Sequence, residues 1–314
     1  MASNNKEILL YNGTVALKYL DSNHSYWIAP VDKKTKKPGK YERQTGVTTY
    51  IGIIDKSFVL KTWVARIMAK FLHGVLQVRA ITKFDIEEAR NIHTQYLKDA
   101  SDLGTKIHDW LEMFVKGQNP PMPEEAAVLT GVNSWLAWVE KHQAHFVAAE
   151  VMIYSKEYGY CGQADFVCYF GDEWSKLYLG DYKSSNGLYS GVMIQTAPYA
   201  RGIEEMGLTE TLETQGTQEG IKIAARARKQ GKKLSFVGRW AIRLEKRTEE
   251  EWQADMDEKG KVNESYKIFE AVPLDPDGDH IKEDMDAFVA AKILKGWDGD
   301  AYKRLEYYKK EYSL

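Results

Sequence analysis

Cysteine is nearly absent from these 314 residues: Cys161 and Cys168 are the only two. That is too few for a disulfide framework, a four-cysteine zinc site or an iron–sulfur cluster. No run of about 18 apolar residues occurs, so no membrane span is expected. The opening residues, Met1 to Glu7, lack the basic-then-apolar pattern of a signal segment. No Gly-x-x-x-x-Gly-Lys-Ser/Thr phosphate loop, His-Glu-x-x-His zinc motif or Gly-x-Ser-x-Gly nucleophile elbow is present. Net charge is also small, at -2. With 44% apolar and 28% charged residues, the chain has the composition of a folded globular protein and not of a disordered one. The expectation is a reduced, cytoplasmic protein with no membrane partner.

The near-neutral balance conceals segregation. Ten basic residues lie between Lys222 and Arg247, among them Arg226, Arg228, Lys229, Lys232 and Lys233, with Glu245 the one acid between them. Lys33 to Arg43 forms a second basic run, whereas acids gather at Glu249–Glu258 and Asp275–Asp286. Such clustering either makes a local positive surface for a polyanion or is a solvated helix face balanced by an acidic one.

Periodicity gives the organisation. Thr14–Leu20 and Ser25–Ala29 read as a strand pair, and Asp32–Lys40 as a polar loop. A helix follows Ser57 and is expected to end at Gly74. Asp85 and Glu88 have capping-box spacing. A further helix is expected over Ser101–Val115, stopped by Gly117, and another over Glu124–Val139. The period then changes to two: Val147–Tyr154, Gln163–Phe170 and Lys176–Lys183 alternate as strands. Helix returns near Gln195 and over Thr217–Gln230. Leu234–Leu244 and Tyr266–Val272 read as strands, and Ile281–Leu294 and Asp300–Tyr312 as two helices. No linker divides the chain. The reading is one α/β domain over 1–314, with an N-terminal part (1–100), a core (101–245) and a C-terminal strand and helices (246–314).

The middle strands carry the chemistry. Asp181 and Lys183 share a strand face. If Phe170 pairs with Lys176 across the loop Gly171–Ser175, then Asp165 lies opposite Asp181 and Gln163 opposite Lys183. Facing carboxylates repel unless something neutralises them, and a hard divalent cation such as Mg²⁺ or Mn²⁺ would do so. On the preceding strand Glu150 shares a face with Ala148 and Met152, an apolar setting in which a carboxylate needs a partner. His108 flanks the apolar stripe of its helix, with Gly104 one turn earlier; it is either a metal ligand or a structural histidine. His142-x-x-His145 lacks a third ligand and reads as a solvent-facing pair, and Asp275–Asp279 reads as an acidic turn.

Taken together, Gly104-Thr105-x-x-His108, Glu150, Gly162-x-x-Asp165, Asp181-x-Lys183 and Gln195-x-x-x-Tyr199 resemble, in order and spacing over about residues 101–205, the PD-(D/E)XK nuclease superfamily. The RecB-type and phage exonuclease branch is the most similar. His24-x-Tyr26, Val47-Thr48-Thr49 and Trp63 also resemble the amino-terminal part of phage members. The resemblance implies a restriction-endonuclease-like core, with a mixed central sheet flanked by helices, plus an N-terminal β-hairpin and helical additions. It implies a metal-dependent deoxyribonuclease, an exonuclease acting on DNA ends in recombination, repair or phage DNA metabolism. A structure-selective endonuclease and a non-catalytic DNA-binding protein are the alternatives. His108, Asp165, Asp181 and the carbonyl of Tyr182 would hold Mg²⁺ or Mn²⁺. Lys183 would act on the attacking water and the phosphate, Gln195 and Tyr199 would hold the site or the DNA backbone, and Glu150 would assist the metal. Linear DNA, single- or double-stranded, is the implied partner, with a recombination or single-strand-binding protein beside it. The basic residues from Lys222 to Arg247 would grip the phosphate backbone. Pro198, inside the Gln195–Tyr199 motif, predicts a helix that starts late or bends.

Overall fold

The computed structural model describes residues 5–54, 57–185, 187–248, 250–254, 269–276 and 280–312. An N-terminal meander of four strands runs β1 (Lys6–Leu10), β2 (Val15–Leu20), β3 (Ser25–Pro30) and β4 (Glu42–Gln44), all antiparallel. The expected strand pair is therefore the centre of a larger sheet. Short α1 (Val47–Ile51) follows, then α2 (Ser57–Val78), α3 (Lys83–Val115) and α4 (Ala126–His142).

The central sheet has the order β5-β6-β7-β8-β9: β5 (Ala144–Ser155), β6 (Tyr160–Phe170), β7 (Lys176–Lys183), β8 (Ser235–Arg243) and β9 (Glu270–Leu274). It is mixed. The β7–β8 pair is parallel and the others antiparallel. A parallel neighbour needs a long crossover, which here is α5 (Gly191–Met206), α6 (Leu208–Gln215) and α7 (Gln218–Gln230). Helix α8 (Ile281–Tyr312) ends the described chain.

The sheet lies between two apolar layers. Ile107, Trp110 and Leu111 of α3 and Val132, Trp135 and Trp138 of α4 pack with Ala149, Phe166 and Cys168 on one face. Tyr199, Ala200 and Ile203 of α5, Leu212 of α6, Ile223 and Ala224 of α7 and Phe288 of α8 pack with Val151, Ile153, Val167 and Leu179 on the other. Close approaches are cut into the strands. A Cβ at Gly180 would lie 1.8 Å from Phe166 Cζ, so only glycine lets that ring cross β7.

Several expected boundaries move. Residues 83–115 are one helix, not two: its capping box is Thr82 with Asp85, and it runs unbroken through Ser101 and Gly104. Helix α2 passes through Gly74, where a Cβ would meet nothing within 4 Å. A lone exposed glycine costs a helix only about 1 kcal/mol. For the same reason Gly296 and Gly299 do not split α8, which replaces the two expected C-terminal helices. Helix α5 begins four residues before Gln195 and carries Pro198 in its interior, so it does not start late. The last expected strand shifts to Glu270–Leu274, and residues 266–268 lie outside the described residues, as do 277–279 of the acidic turn. Of the expected solvent-facing pair, His145 is exposed and stacks on Tyr169, whereas His142 is half-buried against Trp138, Phe170 and Trp240.

Candidate active site

Strands β6 and β7 pair at Phe166↔Gly180, Val167↔Leu179 and Cys168↔Tyr178. That is the register obtained by closing the loop Gly171–Ser175 on Phe170 and Lys176. The pairing stops one step short of the two aspartates. Beyond it Asp165 Oδ2 accepts from the backbone N–H of Tyr182 at 2.5 Å. Gln163 turns towards Glu150, to which its side chain donates, instead of facing Lys183. The opening between the strands is where the polar residues converge.

The alternation expected of β5 also breaks here. Glu150 has φ 53°, in the left-handed region that costs a non-glycine residue about 1–2 kcal/mol per residue. The flanking pairs, Ala149↔Phe166 and Val151↔Ala164, are intact, and a separate register shift falls at Val147, between Phe146 and Ala148. In consequence Ala148, Val151 and Met152 lie in one apolar layer while Ala149 lies in the other, and Glu150 is released into the opening. Its carboxylate lies 3.7 Å from His108 Nε2 and 3.6 Å from Lys6 Nζ. Lys6 is a residue that the sequence reading missed; it sits on a strand contributed from far away in the chain, and nothing local marks it.

His108 projects from α3. Its Nε2 is 3.4 Å from Asp165 Oδ1, and its ring meets Tyr182 edge-on at 5.5 Å. Gly104 lets the helix come this close, because a Cβ there would lie 2.7 Å from Ser184 Cβ. One turn after His108 stands Glu112, also missed. One donor atom from each of His108, Glu112 and Glu150 lies within 4.8 Å of the others. The i, i+4 spacing from His108 is the signal that could have found it. A depression of about 230 Å³ opens beside these residues, lined by Ser101, Thr105, His108, Asp109 and Ser184 among others.

The second half of the site is a hydrogen-bonded chain. Asp181 is buried and forms an ion pair with Lys183. Gln195 lies between them, its amide donating to Asp181 Oδ1 at 3.0 Å and its carbonyl accepting from Lys183 Nζ at 3.1 Å. Gln195 also reaches Tyr199 Oη at 3.3 Å. Tyr199 is held against β6 at Gly162, where a Cβ would lie 2.5 Å from its ring. The structure thus accounts for Gly162 by tyrosine packing.

Proton affinities follow from this crowding. Burial and the Asp165 charge push the Glu150 carboxyl up to about 7. Burial, offset in part by Lys183, and the Asp165 charge push Asp181 up to about 6. Burial opposes the charged form of His108, but the hydrogen bond to Asp165 and the nearby Glu150 outweigh it and raise the imidazole to about 9. Asp165 goes the other way: burial would raise it, and His108, Lys183 and the Tyr182 N–H hold it below the usual carboxylate range.

The close donor set suits a hard divalent cation: carboxylate oxygens from Glu112 and Glu150 with the His108 imidazole, and Asp165 beside that imidazole nitrogen. Asp181 Oδ2 points the same way, being buried and without a hydrogen-bond partner apart from its ion pair with Lys183.

The basic segment is divided: Arg243 lies opposite Lys183 in the pairing of β7 with β8, whereas the residues of α7 and the turn after it lie elsewhere. Arg226 and Lys232 lie over the Trp174 ring at 4.2 and 4.9 Å, beside the β6–β7 hairpin. Arg228 is paired with Glu213 and Glu210, and Lys233 lines a separate depression with Arg201 and Glu204. Lys229 is exposed in the last turn of α7. Strand β7, eight residues long, separates that hairpin end from Lys183 by about 23 Å.

Protein-family models give no match to this chain, and a search of curated proteins gives none either. No helix among the described residues is long and apolar enough to cross a membrane.

Proposed function

We propose that this protein is a divalent-metal-dependent deoxyribonuclease with a PD-(D/E)XK-like site at the open end of β6 and β7. One observation carries the reading: Glu150, Asp165 and His108 converge beside a separate Asp181–Lys183–Gln195–Tyr199 chain. This grouping suits phosphodiester hydrolysis, with carboxylates to hold a cation and an ammonium beside them to meet negative charge. His108, Asp165, Glu150 and Glu112 would hold Mg²⁺ or Mn²⁺, with Asp181 at its edge. When bound, the cation supplies Lewis-acid stabilisation of the phosphate. Asp181 and Gln195 fix the Lys183 ammonium, which would stabilise negative charge on a bound phosphate. Tyr199 and Gly162 fix Gln195 in turn.

Attack at DNA ends, in recombination, repair or phage DNA metabolism, is supported by the sequence resemblance alone. End-labelled linear and covalently closed circular DNA, single- and double-stranded, would be incubated with Mg²⁺, Mn²⁺ or EDTA, with Lys183→Ala alongside. Metal-dependent loss of linear DNA alone, abolished by Lys183→Ala, is the expected result. Cutting of circles would replace the exonuclease by an endonuclease. Cleavage retained by a pure Lys183→Ala sample would refute the proposed site.

A further inference from the structure

Helices α2 and α3 form an arm that the body scarcely covers. Of residues 60–78 in α2, none is buried, and between Lys83 and Leu103 of α3 only Asp85 and Ala89 are. The apolar side of α2, including Trp63, Ile67 and Phe71, is half-buried. Beyond Ile107 the same α3 is locked into the core. The arm is thus a rigid extension of the helix that carries His108.

The two helices of the arm differ in charge: the outer part of α3 carries acids as well as bases, and α2 carries bases alone. Helix α2 contains Lys61, Arg66, Lys70 and His73 and no aspartate or glutamate. Arg66, Lys70, His73 and Gln77 are spaced 4, 3 and 4 apart, so they share one face, and all are exposed. Lys61, Arg66 and Lys70 have no ion-pair partner among the described residues. The contrast with α7 is direct, because there Arg228 and Lys222 are neutralised by Glu213 and Glu219. An uncompensated basic helix face is complementary to a polyanion.

Position selects the polyanion. The connection Arg79–Thr82 is short, so α2 runs back along α3. Arg66 then lies about 20 Å and Gln77 about 36 Å from His108 along the helix axis. At about 3.4 Å per base pair these distances correspond to about 6 and 11 base pairs. The root of the arm, Ser101 to His108, is the wall of the depression at the candidate site. The regular rise of the face matches the fixed phosphate spacing of a duplex, and Trp63, one turn before Arg66, is half-buried instead of presented as a stacking platform. We propose that α2 is a duplex-DNA clamp that holds phosphates about 6–11 base pairs from the bond presented at His108. The inference rests on the nuclease reading for what the site does, but its test does not.

Fluorescence anisotropy in EDTA would compare a 20-base-pair duplex with a 5-base-pair hairpin, for the wild type and for Arg66→Gln/Lys70→Gln. Circular dichroism would verify that the variant is folded. For the long duplex the expected result is a loss of about tenfold in affinity and a salt slope shallower by about 1.8, for two lost phosphate contacts. The short hairpin should bind both proteins alike. Equal affinity of both proteins for the long duplex, equal losses at both lengths, or no duplex binding by the wild type would each overturn the clamp. Cleavage in Mg²⁺ is scored separately. Arm-dependent binding without cleavage would leave the clamp and remove the nuclease, and cleavage with unchanged affinity in the variant would do the reverse.

Discussion

The two ends of the β6–β7 pair use charge in opposite ways. At the hairpin end Lys176 pairs with Glu173, Arg228 pairs with Glu213, and Arg226 lies over Trp174. These groups are largely exposed, and such pairs are worth little to stability. At the open end Glu150, Asp165 and Asp181 are buried or nearly so and share His108, Lys183 and Lys6. Charges that fold into pairs describe a surface. Carboxylates crowded until burial and mutual repulsion raise the proton affinity of two of them describe a candidate site.

The comparison can be broken first through pH. Glu150 and Asp181 are raised in the folded chain, to about 7 and about 6, above their unfolded values of 4.5 and 3.8. A raised group contributes stability below its unfolded value and loses it as pH rises through the folded one. His108, raised to about 9, has the same sign, and its contribution is lost above its unfolded value of 6.5. Metal-free protein should therefore lose stability from about pH 5 to 8, with Glu150 contributing at most about 3 kcal/mol. Thermal melts in EDTA should show that fall, Glu150→Gln should flatten it, and Mg²⁺ should raise Tm more at pH 8 than at pH 5. A flat wild-type profile with no Mg²⁺ effect would mean that the open end is no cation site.

A smaller effect is expected from Gly162→Ala. The added methyl would press on the Tyr199 ring, and overpacking of this kind costs about 1–3 kcal/mol. Because Tyr199 backs Gln195, the variant should also lose turnover on linear DNA, whereas a purely structural glycine would lose stability alone. The smallest effect belongs to the hairpin end. Arg228→Gln should change stability by no more than about 0.5 kcal/mol, since its partners are exposed. A larger loss in a urea melt would show that this end is more than a solvated surface.

How much of this was legible differs residue by residue. Asp181-x-Lys183 on one strand face and the β6–β7 register were readable, because strand period and loop length are set within a few residues. Thr217 and Gly231 bounded α7 for the same reason. The single α3 was not readable, since Thr82 competed with later capping signals and only packing shows that nothing stops the helix at Ser101. Glu112 stood one turn from His108 in plain view, but its meaning depends on Glu150.

By itself the sequence determined the α/β order, the carboxylate–lysine spacing on β7 and the helix positions of His108, Gln195 and Tyr199. All of these follow from local periodicity and turn chemistry. The tertiary structure alone decided that Glu150 takes a left-handed conformation, that Lys6 reaches it from the N-terminal sheet, and that Arg228 of α7 is paired with glutamates of α6 while, among the described residues, Arg66 and Lys70 of α2 are not paired. Such facts depend on which distant segments meet. A strained φ or an unpaired charge persists only where the surrounding packing holds it, and packing is a property of the whole chain.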